Sequence, residues 1–297
     1  MKKSFFKRAL SLVLCLILTS ALSAVCLAAN ENAPLAVAHR GHSAAAPENT
    51  LSAFRLAGEL GYYGCEFDIR PTKDKVWVVM HNETVDNMTN GSGKVSELTY
   101  DEISALKIDS GNGLSSYPDE KVPTLEEALD VCREYSIRPV IEIKGGDESD
   151  VVALAEYLNS RDDRDSFIII SFTWEILAPL RKLMPNTEMW LLANEVRSAH
   201  IEFCKENKID AISFNYKKNT LFTGTRIVRN GLKAVSWTVD RASTARLLLA
   251  GDVTGITTNK LLPEELQKEN AASGVEEFFE ELVDALSRFF STLFPSC

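Results

Sequence analysis

The stretch Pro139-Val140-Ile141-Glu142-Ile143-Lys144 decides the fold. A short, almost unbroken apolar run is followed by a helical pattern at Val151–Asn159 and then by a second apolar run at Phe167–Ser171. An apolar run of this length without alternation fits a strand covered on both faces. A helix between two such strands is the unit of a parallel sheet. The unit repeats in both directions. Further strand candidates are Leu35–His39, Cys65–Ile69, Val76–His81, Glu188–Leu192, Ala211–Phe214, Lys233–Val239 and Gly255–Thr258. Helical patterns lie at Thr50–Leu60, Thr124–Tyr135, Trp174–Leu183, Val196–Glu206, Leu221–Asn230 and Ala242–Ala250, several opening on a capping side chain such as Asn49, Thr124 or Thr173. The expectation is an α/β fold, an irregular (β/α)8 barrel.

One link breaks the pattern. Arg70–Lys75 is too short for a parallel crossover, which takes about a dozen residues or more. Nine strand candidates then face seven helices, so either one run is an antiparallel extra or the barrel is irregular there. Asn82–Lys121 follows at once, a long polar segment with one weak helix at Thr99–Leu106. It reads as a loop insertion after the third strand, and long loops at strand ends are where barrel enzymes build their sites.

Outside this core, residues 1–28 carry Lys2, Lys3, Lys7 and Arg8 before the apolar run Ala9–Leu18, then small residues up to Ala28. That is the pattern of a cleaved secretory signal peptide, with a membrane-anchored form as the alternative. The expected location is therefore secreted or extracytoplasmic. The chain of 297 residues has 42 acidic and 32 basic residues and a net charge of −10. Loss of four basic residues with the leader takes this to −14, which argues against nucleic acid as a partner. The core spans 29–262, a size that suits one barrel, with a linker at 263–274. Residues 275–297 form an amphipathic pattern in which Val275, Phe278, Phe279, Leu282, Leu286 and Phe289 recur at helical spacing. The expectation is an extra C-terminal helix packed across the barrel, the alternative being a peripheral contact with membrane or wall. Cys65, Cys132, Cys204 and Cys297 are widely spaced and signal neither a disulfide framework nor a zinc site. Thr89–Lys94 is glycine-rich but is no P-loop, and no G-x-S-x-G elbow is present. Oligomeric state is not legible.

The chemistry lies where charged residues interrupt apolar strands. Glu66 and Asp68 are two apart and so share one face of a strand, as do Glu142 and Lys144. His39 closes the first strand and is followed by Arg40; His81 closes the third. Each alone has an ordinary explanation: a strand-end histidine is usually a satisfied hydrogen-bonder, and E-x-K is often an ion pair. His42 and His200 have no evident partner and read as surface or structural residues. Together, two histidines, three acids and two bases at strand ends point to one mouth. Buried carboxylates are costly unless paired or metal-bound, so Glu66, Asp68 and Glu142 suit a hard divalent cation.

The sequence from about Ala36 to Leu262 resembles the glycerophosphodiester phosphodiesterase family. The resemblance is carried by His39-Arg40-Gly41 with Pro47-Glu48-Asn49-Thr50, by Glu66-Phe67-Asp68 and by Val78-Val79-Met80-His81. Glu142-Ile143-Lys144, Trp237-Thr238-Val239 and Gly255-Ile256-Thr257-Thr258-Asn259 continue it in order. It implies a distorted TIM barrel and Ca2+ or Mg2+ on Glu66, Asp68 and Glu142. It makes His39 and His81 the acid/base pair, Arg40 and Lys144 the phosphate contacts, and Glu48 and Trp237 further substrate-binding residues. The expected substrate is a small or lipid-derived glycerophosphodiester, cleaved to an alcohol and glycerol 3-phosphate. Alternatives are a lysophospholipase D-type or phospholipase-C-like lipid phosphodiesterase, or an inactive surface binding module. One departure stands out: Asn82 occupies a position that is usually Asp in the family.

Overall fold

The computed structural model describes residues 34–266; the leader, residues 267–274 of the linker reading and the C-terminal amphipathic segment lie outside the described residues. The strands are β1 (Leu35–His39), β2 (Gly64–Pro71), β3 (Trp77–Val79), β4 (Arg138–Ile143), β5 (Ile168–Ser171), β6 (Glu188–Ala193), β7 (Ala211–Asn215), β8 (Lys233–Trp237) and β9 (Gly255–Thr258). The α-helices are α1 (Leu51–Glu59), α2 (Tyr100–Ser104), α3 (Leu125–Glu134), α4 (Glu148–Ser160), α5 (Trp174–Leu183), α6 (Ser198–Glu206), α7 (Thr223–Val228) and α8 (Ala242–Ala250).

Strands β1, β2, β4, β5, β6, β7, β8 and β9 pair in parallel, and β1 pairs with both β9 and β2, so the sheet closes into a barrel. The short link at 70–75 makes β3 the antiparallel extra, hydrogen-bonded to β2 through Ile69–Val79 and Pro71–Trp77. Outward residues such as Phe67, Ile69, Ile141 and Ile143 pack under the helices. Inward residues Val37, Val140, Ile168, Trp190, Ala211 and Val235 fill the barrel from within. Apolar cover on both sides is why the strands carry so little alternation. Their burial removes apolar surface worth roughly 25 cal/mol per Å².

Two expected caps differ from the structure. Thr50, not Asn49, caps α1, its hydroxyl accepting the Ala53 N–H, because Asn49 sits at φ 58° and turns its amide elsewhere. Thr173 occupies the cap position of α5 but its side chain makes no capping bond. Thr124 does cap α3, in a reciprocal box with Glu127. The insertion has a small core of its own, with Val85, Val95, Ile103 and Ile108 packed on Val78 and Met80. It leans on the β1–α1 loop: Asn112 donates to the Ser43 carbonyl at 2.8 Å. At Gly113, φ is 65° and a Cβ would lie 2.0 Å from the Ala45 carbonyl oxygen, so only glycine allows this approach. Residues 263–266, the start of the linker reading, form a 3-10 turn with Leu266 buried. Among the described residues no helix is long and apolar enough to cross a membrane. Cys65, Cys132 and Cys204 are free and buried.

Candidate active site

Parallel register carries the sequence pattern to one end of the barrel. His39 on β1 sits opposite Glu66 on β2, and Asp68 opposite Glu142 on β4. The three carboxylates are buried, and one oxygen from each lies within 4.8 Å of the others. Lys144 Nζ reaches Glu142 Oε1 at 2.7 Å and Asp68 Oδ1 at 3.2 Å, so the E-x-K pair is an ion pair inside the cluster. Arg40 Nε faces Asp68 Oδ2 at 3.4 Å, and its NH1 donates to Glu48 Oε1 at 2.7 Å. Glu48 therefore holds Arg40 and is not among the residues lining the cavity.

Three carboxylates face two cations, and the imbalance appears in their protonation. Burial, then repulsion from Asp68 and Glu142, pushes Glu66 well above the usual carboxylate range. Burial and Asp68 push Glu142 up to about 7. Asp68 moves the other way: burial raises it, but Lys144 and Arg40 together hold it below its ordinary value. Asp68 Oδ1 is buried, and its polar contact is the ion pair with Lys144. Three buried carboxylates within 4.8 Å of one another and short of positive charge fit a hard divalent cation with oxygen ligands.

The two histidines are oriented alike. His39 Nδ1 lies 2.8 Å from Asn259 Oδ1, and His81 Nδ1 lies 2.8 Å from Asn82 Oδ1. Neither Nε2 makes a hydrogen bond within the described residues, and both rings line the same cavity. Burial and the adjacent Arg40 push His39 down to about 4. Burial also lowers His81, opposed by the attraction of Asp68. Asn82 thus supplies an acceptor to His81 without supplying charge. The remaining histidines are structural: His42 bonds the Tyr62 hydroxyl at 3.0 Å, and His200 accepts the Arg197 N–H.

Three residues that hold this geometry were not among the site residues expected from the sequence. Asn49 donates to Asp68 Oδ2 at 2.9 Å. Arg70 donates to the His81 carbonyl through Nε and NH2 and to the Lys144 carbonyl through NH1, clamping both strand ends. Asn259 orients His39. Arg70 had a signal: it continues the 66–68 alternation on the carboxylate face. The other two act across folds of the chain that no local pattern reports.

The cavity, about 230 Å³, is charged on the β1–β2–β4 side and apolar on the other, where Ile170, Phe172, Leu192 and Trp237 line it. Phe172 is 39% exposed and packs edge-on to Trp237, ring centres 5.7 Å apart. A larger hollow of about 380 Å³ is lined by Arg55, Tyr100, Asp119, Glu120 and Glu127 but by no histidine, and among the described residues the grouped carboxylates that could hold a metal are Glu66, Asp68 and Glu142.

Comparison with known proteins agrees with this architecture. Residues 39–262 match the model of the glycerophosphoryl diester phosphodiesterase family. The chain is 35% identical over 236 residues to a glycerophosphodiester phosphodiesterase of Caldanaerobacter subterraneus subsp. tengcongensis, covering 76% of this chain and 93% of that one. It is 32% identical to a glycerophosphodiester phosphodiesterase of Bacillus subtilis, covering 76% and 83%. Among solved structures, a phosphodiesterase of Oleispira antarctica in complex with the product sn-glycerol-3-phosphate has the same fold, with TM-score 0.73, 24% identity and coverage of 82% and 97%. A glycerophosphodiester phosphodiesterase of Parabacteroides distasonis superposes with TM-score 0.66 at 26% identity, covering 82% and 99%.

Proposed function

Because the chain belongs to the glycerophosphoryl diester phosphodiesterase family, we propose that it hydrolyses a glycerophosphodiester to an alcohol and glycerol 3-phosphate, with His39 and His81 moving the protons. The observation that carries this reading is the pair of imidazoles, each held through Nδ1 by an asparagine, in one cavity with Arg40, Lys144, Glu66 and Glu142, with Asp68 completing the carboxylate cluster.

In this reading Arg40, braced by Glu48 and Asp68, and Lys144 bind the phosphate oxygens. His39, neutral because burial holds it near 4, takes a proton on Nε2 from the attacking hydroxyl. His81 as imidazolium gives its proton to the departing alcohol oxygen, a charge that Asp68 favours. The attacking group is the neighbouring glycerol hydroxyl. The phosphorus–alcohol bond breaks as a cyclic phosphate forms, and water then opens it with the two histidines in exchanged roles. Such proton transfers typically contribute about 10²–10⁴-fold each. Glu66, Asp68 and Glu142 would hold Ca2+ or Mg2+, which supplies positive charge against the phosphate oxygens as negative charge grows on them.

The apolar side of the cavity, with Phe172 and Trp237, supports a second reading in which the glycerol carries an acyl chain, as in a lysophospholipid. The two are separated by incubating the full chain with glycerophosphocholine, glycerophosphoglycerol and lysophosphatidylcholine and measuring the phosphate product of each. Glycerol 3-phosphate from the first two supports the first reading; turnover of the lysolipid alone supports the second, and no turnover of any removes both. The basic-then-apolar leader supports action outside the cytoplasm, tested by sequencing the N-terminus of exported protein.

A further inference from the structure

Asn259 follows β9 and lies against β1 only because the barrel closes. Its Oδ1 meets His39 Nδ1 at 2.8 Å and lies 3.1 Å from the Ser43 hydroxyl, which also reaches the His39 carbonyl at 2.9 Å, while its Nδ2 donates to Asp240 Oδ2 at 2.7 Å. The other Asp240 oxygen accepts the Asn259 backbone N–H at 2.8 Å and the Thr258 hydroxyl at 3.0 Å. An ionised carboxylate only accepts, so Asp240 forces the NH2 end of the Asn259 amide toward itself and the carbonyl end toward His39. A carbonyl oxygen also only accepts, so His39 Nδ1 must carry the ring hydrogen. A neutral imidazole has one N–H, which leaves Nε2 bare. Neither Asp240 nor Asn259 lines the cavity.

We infer that Asp240, acting through Asn259, sets the tautomer of His39 and so makes its Nε2 a proton acceptor. Both are positioning residues, and their link to turnover rests on the role proposed for His39 above. The arrangement makes an unusual demand on an isosteric change. In Asp240→Asn the introduced carbonyl keeps the two donors from Thr258 and the Asn259 backbone, and the introduced NH2 then faces the Asn259 side chain. Asn259 has to rotate its amide to offer the carbonyl there, which turns its NH2 toward His39 Nδ1. The hydrogen moves to Nε2, and the acceptor becomes a donor.

The test is nitrogen NMR on the full chain with 15N-labelled histidine near neutral pH, the His39 signals being assigned by their loss in His39→Ala. Wild type is expected to be protonated at Nδ1 and bare at Nε2. Asp240→Asn reverses this and lowers kcat on the order of 10²-fold with KM within about twofold, a scale typical of changes to groups that orient or fix the tautomer of a reacting histidine. The double variant Asp240→Asn/Asn259→Asp restores the Nδ1–H form and most of kcat, since a carboxylate then accepts from both neighbours. Asn259→Ala, which adds no buried charge, populates both tautomers and serves if Asp240→Asn does not fold. An Nε2–H wild type, or a folded Asp240→Asn chain that keeps Nδ1–H, overturns the inference. A wild type that is Nδ1–H but cleaves no glycerophosphodiester leaves the tautomer assignment standing and removes the functional reading instead.

Discussion

Asn49 and Asp68 exchange two hydrogen bonds: the Asn49 amide donates to Asp68 Oδ2 at 2.9 Å, and its Oδ1 accepts the Asp68 backbone N–H at 3.3 Å. The residue before helix α1 is thereby tied to the central carboxylate of the cluster. Asn49 is buried at φ 58°, a backbone that Asn tolerates and Ala does not. Asn49→Ala is expected to destabilise the chain by about 1–3 kcal/mol and to weaken Ca2+ or Mg2+ binding by about 10–100-fold. Asn49→Gly relieves the backbone and recovers part of Tm while metal affinity stays low. Calorimetric titration of both variants checks this; equal recovery of both quantities by glycine would show that the side chain has no part in holding Asp68.

Metal binding is expected to release protons. Glu142 sits at about 7 and Glu66 above its ordinary range in the absence of a cation, both chiefly through burial. A bound cation takes them as carboxylates, so affinity rises with pH through about 7. The sign for stability is opposite in the metal-free chain. A carboxyl with its folded pKa raised from 4.5 to about 7 contributes fully below pH 4.5 and loses that contribution as pH rises through 7. Tm without metal should fall between pH 5 and 8, and saturating Ca2+ or Mg2+ should flatten the decline. A metal-free Tm that rises over this range contradicts the assignment.

Asn82→Asp tests the neutral partner of His81. Asn82 Oδ1 lies 2.8 Å from His81 Nδ1. A carboxylate there favours the imidazolium, opposing the lowering that burial imposes. The alkaline limb of kcat/KM should shift to higher pH, with the acid limb unmoved. An unmoved alkaline limb would remove His81 from the role of proton donor.

Much of this was legible in the chain itself, for physical reasons that differ by residue. The strand–helix repeat fixed the barrel because strands covered on both faces must be apolar throughout. The short 70–75 link excludes a parallel crossover and left an antiparallel extra or an irregular barrel as the choices; β3 is the antiparallel partner of β2. Glu66 and Asp68 were legible because strand period sets their common face. Thr50 displaced Asn49 as the cap because the Asn49 amide is engaged by Asp68, a contact that only the folded β2 supplies. Asn259 could not be assigned its role from local pattern: 220 residues separate it from His39, and barrel closure alone brings them together.

The insertion supports the loop that carries Arg40 and Glu48, and its close approach depends on Gly113. Gly113→Ala should cost about 1–3 kcal/mol and raise KM more than it lowers kcat, since the contact is with the loop and not with the histidines. Chemical denaturation together with steady-state kinetics checks it; unchanged stability would mean that the loop accommodates a Cβ without strain.

Whether hydrolysis passes through a cyclic phosphate is decided by a single turnover in 18O water. A transient cyclic species with label entering on its opening agrees with attack by the glycerol hydroxyl; direct entry of solvent oxygen with no cyclic species would falsify that route.

The central claim is that metal, His39 and His81 act together on a glycerophosphodiester. The most direct measurement is release of glycerol 3-phosphate from glycerophosphocholine by the full chain, after EDTA treatment and after return of Ca2+ or Mg2+, with His39→Ala and His81→Ala alongside. The account predicts no turnover in EDTA, recovery with the cation, and a loss on the order of 10²–10⁴-fold in each histidine variant at unchanged fold. Full activity in EDTA, or a folded histidine variant as active as wild type, would contradict it.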